Sequence, residues 1–458
     1  MADLSVAHRA ALAQVIERVP DRTLSQLGLA AAGMPGDRAR TLETMLVDEI
    51  QDRKRRARAM ACLAPMFRAR PDGVASTTFP AAVLPRLWKI ASAREPDLLP
   101  MLDSDDDREA GQVAVVCGRI CVAAAAAVRD RPETVWPEGD EKPEIRQAGL
   151  TELASCCDLG PLVNHGLPSL KTWVGRPNED HLAELRLLVR DSAAIAPDGA
   201  QRLLEVLFAH LAEAALILRL VVHSSSAAVQ ECFLSESELA VFVDRLIAAI
   251  DTRVARIATF RTGAGRDPMA TLKADIAWVA GVLAELDSTI QLHPGSAWGK
   301  RARDARQRIN QTLSGMLGAA EKAVDRAMPL ERIKTSGRMT RMAPKLDDAI
   351  DVEARDEAAA ALALLGAIRS SAQIFGCEAR RFQVVQGLTE RLTTYADMAL
   401  EAVNAGDVID EVGGIERIET CAHFLELIDA KDAARTVRRR VAVAGGPRVA
   451  PGTASAAA

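Results

Sequence analysis

The residues in this chain best suited to chemistry are cations. The run ERIKTSGRMTRMAPK, residues 331–345, carries Arg332, Lys334, Arg338, Arg341 and Lys345 against one carboxylate, Glu331. Guanidinium and ammonium groups at this density bind anions: a phosphate, an acidic segment of a partner, or the surface of an anionic bilayer. The run lies between two strongly amphipathic segments, and connectors carry function more often than helix faces do. The competing reading is a solvated linker whose charges pair with Asp347, Asp348 and Asp351 just beyond it. No aromatic residue interleaves these cations, so stacking on single-stranded nucleic acid is disfavoured. Two further basic stretches compete for the same role. Arg53, Lys54, Arg55, Arg56 and Arg58 form one, and Lys300, Arg301, Arg303, Arg306 and Arg308 the other.

Other constellations fail on spacing. Cys117 and Cys121 stand one helical turn apart, but their surroundings are apolar and no third ligand lies at zinc-finger distance. Cys156 and Cys157, with Asp158 and His165, are a richer cluster, yet adjacent cysteines project differently and seldom share one tetrahedral ion. Asp103, Asp105 and Asp107 alternate as in a calcium loop, but Arg108 and Ala114 occupy the positions that need glycine and glutamate. HPGSAWGKR, residues 293–301, lacks the glycine spacing and the hydroxyl of a phosphate loop. Neither metal nor cofactor is expected. Among the histidines only His210 is suggestive, with Glu213 close enough in sequence for a catalytic pair; a hydrogen-bonded core histidine is the simpler reading.

The elements that must position these groups are helical. Hydrophobic residues make up 49% of 458, aromatics only 3%. A core of Leu, Ala, Val and Ile suits close-packed helices rather than sheets. The stretch from Asp198 to His223 is apolar around most of a helical circumference, which predicts one central buried helix. Amphipathic stripes predict its neighbours, among them Leu239–Val243–Leu246–Ile250–Val254–Ile257 and Ile309–Leu313–Leu317–Ala320–Val324–Ala327. Asn178, Asp198, Ser296 and Ser235 with Glu238 read as N-caps, and Asp267–Pro268 as a cap with proline at the first helical position. No segment reads as a strand.

The expected fold is therefore all-α, a multi-helical array of packed helical hairpins without β-sheet. Its expected parts are an irregular helical region at 1–177, a central bundle at 178–330 around the helix 199–223, the basic connector 331–349, C-terminal hairpins at 350–444 and a disordered tail at 445–458. Residues 199–261, 268–328 and 352–405 each suggest two long helices with a short break, which hints at a helical repeat. With a net charge of -5, no signal peptide and scattered cysteines, a cytoplasmic protein without a membrane span is expected. The leading functional expectation is a non-enzymatic scaffold or regulatory adapter working through a protein partner or self-association. The alternatives are an anion-binding module for a nucleotide, phospholipid or nucleic acid built on 331–345, with peripheral membrane contact, and an enzyme with a site in a helical pocket near His210 and Glu213.

Overall fold

The computed structural model describes residues 5–104, 110–139, 141–224, 229–260, 266–334 and 340–444. Helices dominate it, as the composition requires. The chain divides into two compact units, Met1–Arg245 and Leu246–Ala458.

In the first unit, α1 (Val6–Arg18), α2 (Asp21–Ala32) and α3 (Asp37–Ala59) form an N-terminal cluster. Ile16, Leu24, Ala31 and Leu46 are buried in it, with Leu42, Met45 and Ile50 packed around them. The prolines that follow interrupt the chain between helices of very different length. These are α4 (Val83–Arg94), α5 (Ala110–Asp130), α6 (Pro132–Val135), α7 (Pro143–Asp158), α8 (Gly160–Gly166) and α9 (Leu170–Val174). Helix α5 is the apolar axis of this part, packed on α4, α7 and α8. Its residues Gly111–Asp130 are long and apolar enough to cross a membrane, but 56% of that window is buried inside the unit. The proline- and glycine-rich connector at 158–178, a boundary in the sequence reading, lies inside the first unit, where α8 and α9 pack on α10 (Glu179–Ile195). Asn178 caps α10 as expected: its side-chain oxygen accepts from His181 N at 2.9 Å, and His181 Nδ1 accepts from Asn178 N at 3.2 Å.

The expected single helix over 199–223 is broken. It is α11 (Gly199–His210), a 3-10 turn at Ala214–Leu216, and α12 (Ile217–Ser224). Leu211 is extended, with φ -75° and ψ 128°. No proline or glycine causes this; the last turn of α11 is held by residues far away in sequence. Buried Arg70 donates to the Phe208 carbonyl and lies over the Phe208 ring, 4.2 Å from its centroid. His210 reaches the Cys62 carbonyl. The prediction of burial survives the break, because Leu207 and Leu218 are both wholly inaccessible. Asp198 makes no cap bond and instead accepts from Arg202 Nε at 2.8 Å. After α13 (Glu231–Ser235) comes α14 (Ala240–Thr259), which runs through the division between units. Ser237, not Ser235, supplies the hydroxyl before α14, accepting from Leu239 N at 3.3 Å. The first of the suspected repeats thus holds three shorter helices and one long one, α14, rather than two long ones.

In the second unit, α15 (Arg266–Thr289) and α16 (Ala297–Ala327) are the long helices the stripes predict. All six stripe residues of α16 are buried. Pro268 lies in the first turn of α15, and the Asp267 side chain falls outside the described residues. Ser296 caps α16, accepting from Gly299 N at 2.9 Å. The expectation that no segment forms a strand is wrong at the basic connector. Leu330–Lys334 (β1) and Thr340–Pro344 (β2) pair antiparallel as a two-stranded sheet. Pro329 stops α16, and the alternation of Ile333 with charged neighbours gives β1 a period of two. Then come α17 (Val352–Ala367), α18 (Glu378–Ala405), α19 (Glu411–Leu427) and α20 (Lys431–Ala444). Helix α16 packs on α17 across the hairpin, α18 on α19, and α19 on α20. Gly406, at φ 75°, ends α18 in the left-handed conformation that favours glycine. The predicted disordered tail falls outside the described residues.

Candidate functional site

The hairpin sorts its cations by register. Leu330 faces Pro344, Arg332 faces Met342 and Lys334 faces Thr340; Glu331 faces Ala343 and Ile333 faces Arg341. Directly opposed residues share a face. Arg332 and Lys334 therefore stand together on one face with Leu330, Met342 and Thr340. Arg341 stands on the other, beside Ile333 and diagonal to Glu331. Arg332, Lys334 and Arg341 are all exposed. None makes an ion pair among the described residues, whereas Lys345 is held by Asp348 at 2.6 Å. That contact holds the Lys345 ammonium above, and the Asp348 carboxyl below, its ordinary range. Arg338 falls outside the described residues. The structure thus brings Arg332 and Lys334 together, places Arg341 opposite, and assigns Lys345 to the base of the hairpin. There Arg417 also donates to the Asp348 carbonyl, and Ile409 N to Asp347 Oδ1 at 3.3 Å.

The other two basic stretches are largely engaged inside the fold. Arg53 donates to Glu49 at 2.7 Å, to Asp21 at 2.6 Å and to the Val19, Ile16 and Glu17 carbonyls, closing the C-terminal end of α1. Arg55 grips Asp103 with two nitrogens, and this contact draws the Asp103 carboxyl below its usual range. Arg58 reaches the Leu102 and Ser104 carbonyls. Arg301 pairs with Asp251 and Arg306 with Asp287, each at 2.6 Å, while Arg303 donates to the Pro294 carbonyl. Asp103 is thus a structural partner of Arg55; Asp105 and Asp107 lie outside the described residues.

His210 and Glu213 do not form a pair. The break after α11 leaves Glu213 exposed, while the His210 ring turns inward and its Nε2 donates to the Cys62 carbonyl at 2.8 Å. A carbonyl only accepts, so the proton sits on Nε2. Burial lowers the His210 pKa from its ordinary 6.5, against the raising effect of that bond. Neutral imidazole is then the folded form, and its contribution is intact above about pH 6.5 and lost as pH falls below it. His210→Gln, which places an amide N–H near the same carbonyl, should remove this part of the acid dependence between pH 7 and 5. Urea unfolding curves with the same pH dependence in both proteins would contradict the assignment. His210→Ala should cost about 1–3 kcal/mol at neutral pH by leaving the carbonyl unpaired.

The cysteines pack as core residues. Cys117 Sγ lies 3.7 Å from the Arg58 carbonyl and Cys121 Sγ 3.9 Å from that of Ala59, at the end of α3. Cys62 and Cys121 bring their sulfurs to 3.6 Å, a thiol–thiol hydrogen bond and not a disulfide. Burial pushes the Cys117 thiol up to about 11 and raises Cys156 and Cys157 as well. No group of three or more His, Cys, Asp or Glu among the described residues could hold a metal ion. Only Cys232 is exposed. A thiol reagent such as Ellman's should therefore titrate one cysteine rapidly in the native protein, and none after Cys232→Ser; rapid reaction of further thiols would contradict this packing.

The cavities of the fold were not legible in the sequence, among them a groove and a recess. A groove of about 710 Å³ runs along α5, lined chiefly by Val115, Gly118, Val122, Ala126 and Pro161. Its two arginines are engaged, Arg94 with Asp130 and Arg119 with Glu95, both at 2.8 Å. A smaller recess of about 330 Å³ lies at the root of β1, with Met328, Leu330, Leu392, Tyr395 and Met398 in its wall. Neither contains His210 or Glu213. The signal for the recess was diffuse, because its wall is drawn from α16, β1 and α18. No family model, curated protein or solved structure matches the chain.

Proposed function

We propose that this protein is a non-enzymatic helical adapter that binds an acidic segment of a protein partner through its basic β-hairpin. The observation that carries this reading is the contrast between the basic stretches. Most arginines of the other two close helix ends or pair with carboxylates, whereas Arg332, Lys334 and Arg341 are exposed without an ion pair among the described residues. The chain as a whole carries -5, so its surface repels an acidic partner elsewhere and tolerates it here. Long helices with engaged charges supply the rigid support that a recognition hairpin needs. All eight cysteines are unbridged, which supports a reducing, cytoplasmic setting.

The test is charge reversal at the hairpin, R332E/K334E/R341E. All three side chains are exposed, so the variant should keep its helical circular dichroism and melting temperature. Quantitative affinity purification from native lysate should then lose the partners that wild type retains, and those partners should elute from wild type as salt rises. Recovery of the same partners in the same amounts would reject the proposal. Retention of wild type on heparin or anionic vesicles, with no protein partner lost on reversal, would instead favour a polyanion or lipid as the ligand.

A further inference from the structure

The inference concerns how that partner segment is held, and it rests on the adapter reading above. The closing bond of the hairpin fixes which backbone groups point outward. Lys345 N donates to the Pro329 carbonyl at 3.1 Å, in register with the ladder. In an antiparallel pair, hydrogen-bonded and non-bonded positions alternate. Glu331 with Ala343, and Ile333 with Arg341, are therefore the pairs that exchange bonds across the hairpin. Leu330, Arg332 and Lys334 direct their N–H and C=O groups away from β2. No described residue bonds to these groups. The outer edge of β2 is less available, since Pro344 has no N–H and β2 packs beside α18.

We propose that the outer edge of β1 is a docking strand for an extended acidic peptide of the partner, which adds as a third strand. The geometry makes backbone and charge recognition coincide. A residue directly opposite Arg332 or Lys334 would exchange both backbone bonds with it and place its side chain beside the cation. An antiparallel segment with carboxylates at two alternate positions meets both cations. Two residues further on, its side chain falls opposite Leu330, at the recess lined by Met328, Leu392, Tyr395 and Met398. Tyr395 is buried in its wall. The occupant is thus a strand of the form acidic–x–acidic–x–apolar. A second copy of this chain is disfavoured, because apposed β1 edges would bring Arg332 and Lys334 against their own kind.

The probe is the peptide Ac-Thr-Glu-Val-Glu-Val-Leu-Thr-NH2, titrated into the full-length protein by calorimetry at low salt. Two derivatives separate strand addition from plain charge attraction. N-methylation of both glutamates removes the donors aimed at β1, whereas N-methylation of both valines alters groups that face away. Strand addition predicts that the valine derivative binds like the parent and the glutamate derivative at least tenfold more weakly. It also predicts slowed exchange of the Leu330, Arg332 and Lys334 amides in the complex. Equal binding of both derivatives, still abolished by R332E/K334E, would overturn the edge assignment and leave the adapter reading standing. No binding of the parent, or binding indifferent to R332E/K334E, would overturn both.

Discussion

Glu205→Ala is expected to lower the unfolding free energy of the first unit by about 3–5 kcal/mol, the usual cost of removing one partner from a buried ion pair. Glu205 lies on α11 with its side chain inaccessible. Its carboxylate accepts from Arg245 Nη1 at 2.7 Å and, more weakly, from Thr77 N at 3.5 Å. Only a fifth of the Arg245 side chain is accessible, so water cannot replace the lost carboxylate. Phe242 lies beneath the guanidinium and meets Phe208 edge-on at 5.8 Å, so the pair sits within the aromatic core of that unit. Glu205→Leu combined with Arg245→Met should recover most of the loss, because an apolar pair of similar volume carries no unpaired charge. Urea denaturation of the two single variants and the double variant measures this directly. A Glu205→Ala loss below 1 kcal/mol would mean that the pair is solvated.

Asp275→Ala should be the corresponding lesion in the second unit, at about 3 kcal/mol. Asp275 on α15 is buried and accepts from Arg256 Nη2 at 2.6 Å and Nε at 2.9 Å, with Arg253 Nε 3.5 Å away. The two arginines differ in what they lose. Arg256 is about half exposed, so solvent restores much of its stabilisation. Arg253 is buried and stacked over Trp278, 3.6 Å from the ring centroid, and keeps that contact. The lower part of the 3–5 kcal/mol range for broken buried pairs is therefore expected. Asp275→Asn, which keeps an acceptor of the same shape, should lose less. Equal losses in the two variants would show that the negative charge alone matters.

The long helices were legible because their pattern is local. The stripe Ile309–Leu313–Leu317–Ala320–Val324–Ala327 needs no distant information to mark the buried face of α16, and Ser296 caps it with its own hydroxyl. The break at Leu211 was not legible. It follows from Arg70 and His210 reaching across to the Phe208 and Cys62 carbonyls, partners separated by more than a hundred residues. The hairpin was missed for a different reason. Two strands of five residues, rich in Arg, Lys and Met, have neither the β-branched content nor the length that advertises a sheet. The glycine at 337 between two short runs after Pro329 was the available signal. The cations of the candidate site were plain from composition. Their division, with Arg332 and Lys334 on one face and Arg341 on the other, depends on register alone. Likewise, the engagement of Arg53 and Arg301 could only be seen once Asp21 and Asp251 had been brought to them.

The adapter reading places partner carboxylates against the ammonium of Lys334, and a zero-length carbodiimide coupling reads that contact directly. Treatment of the native complex should join Lys334 to an aspartate or glutamate of the partner, identified by mass spectrometry of the linked peptides. The yield should fall as salt is raised. Partner cross-links that arise reproducibly from other lysines, with none from Lys334, would contradict the account.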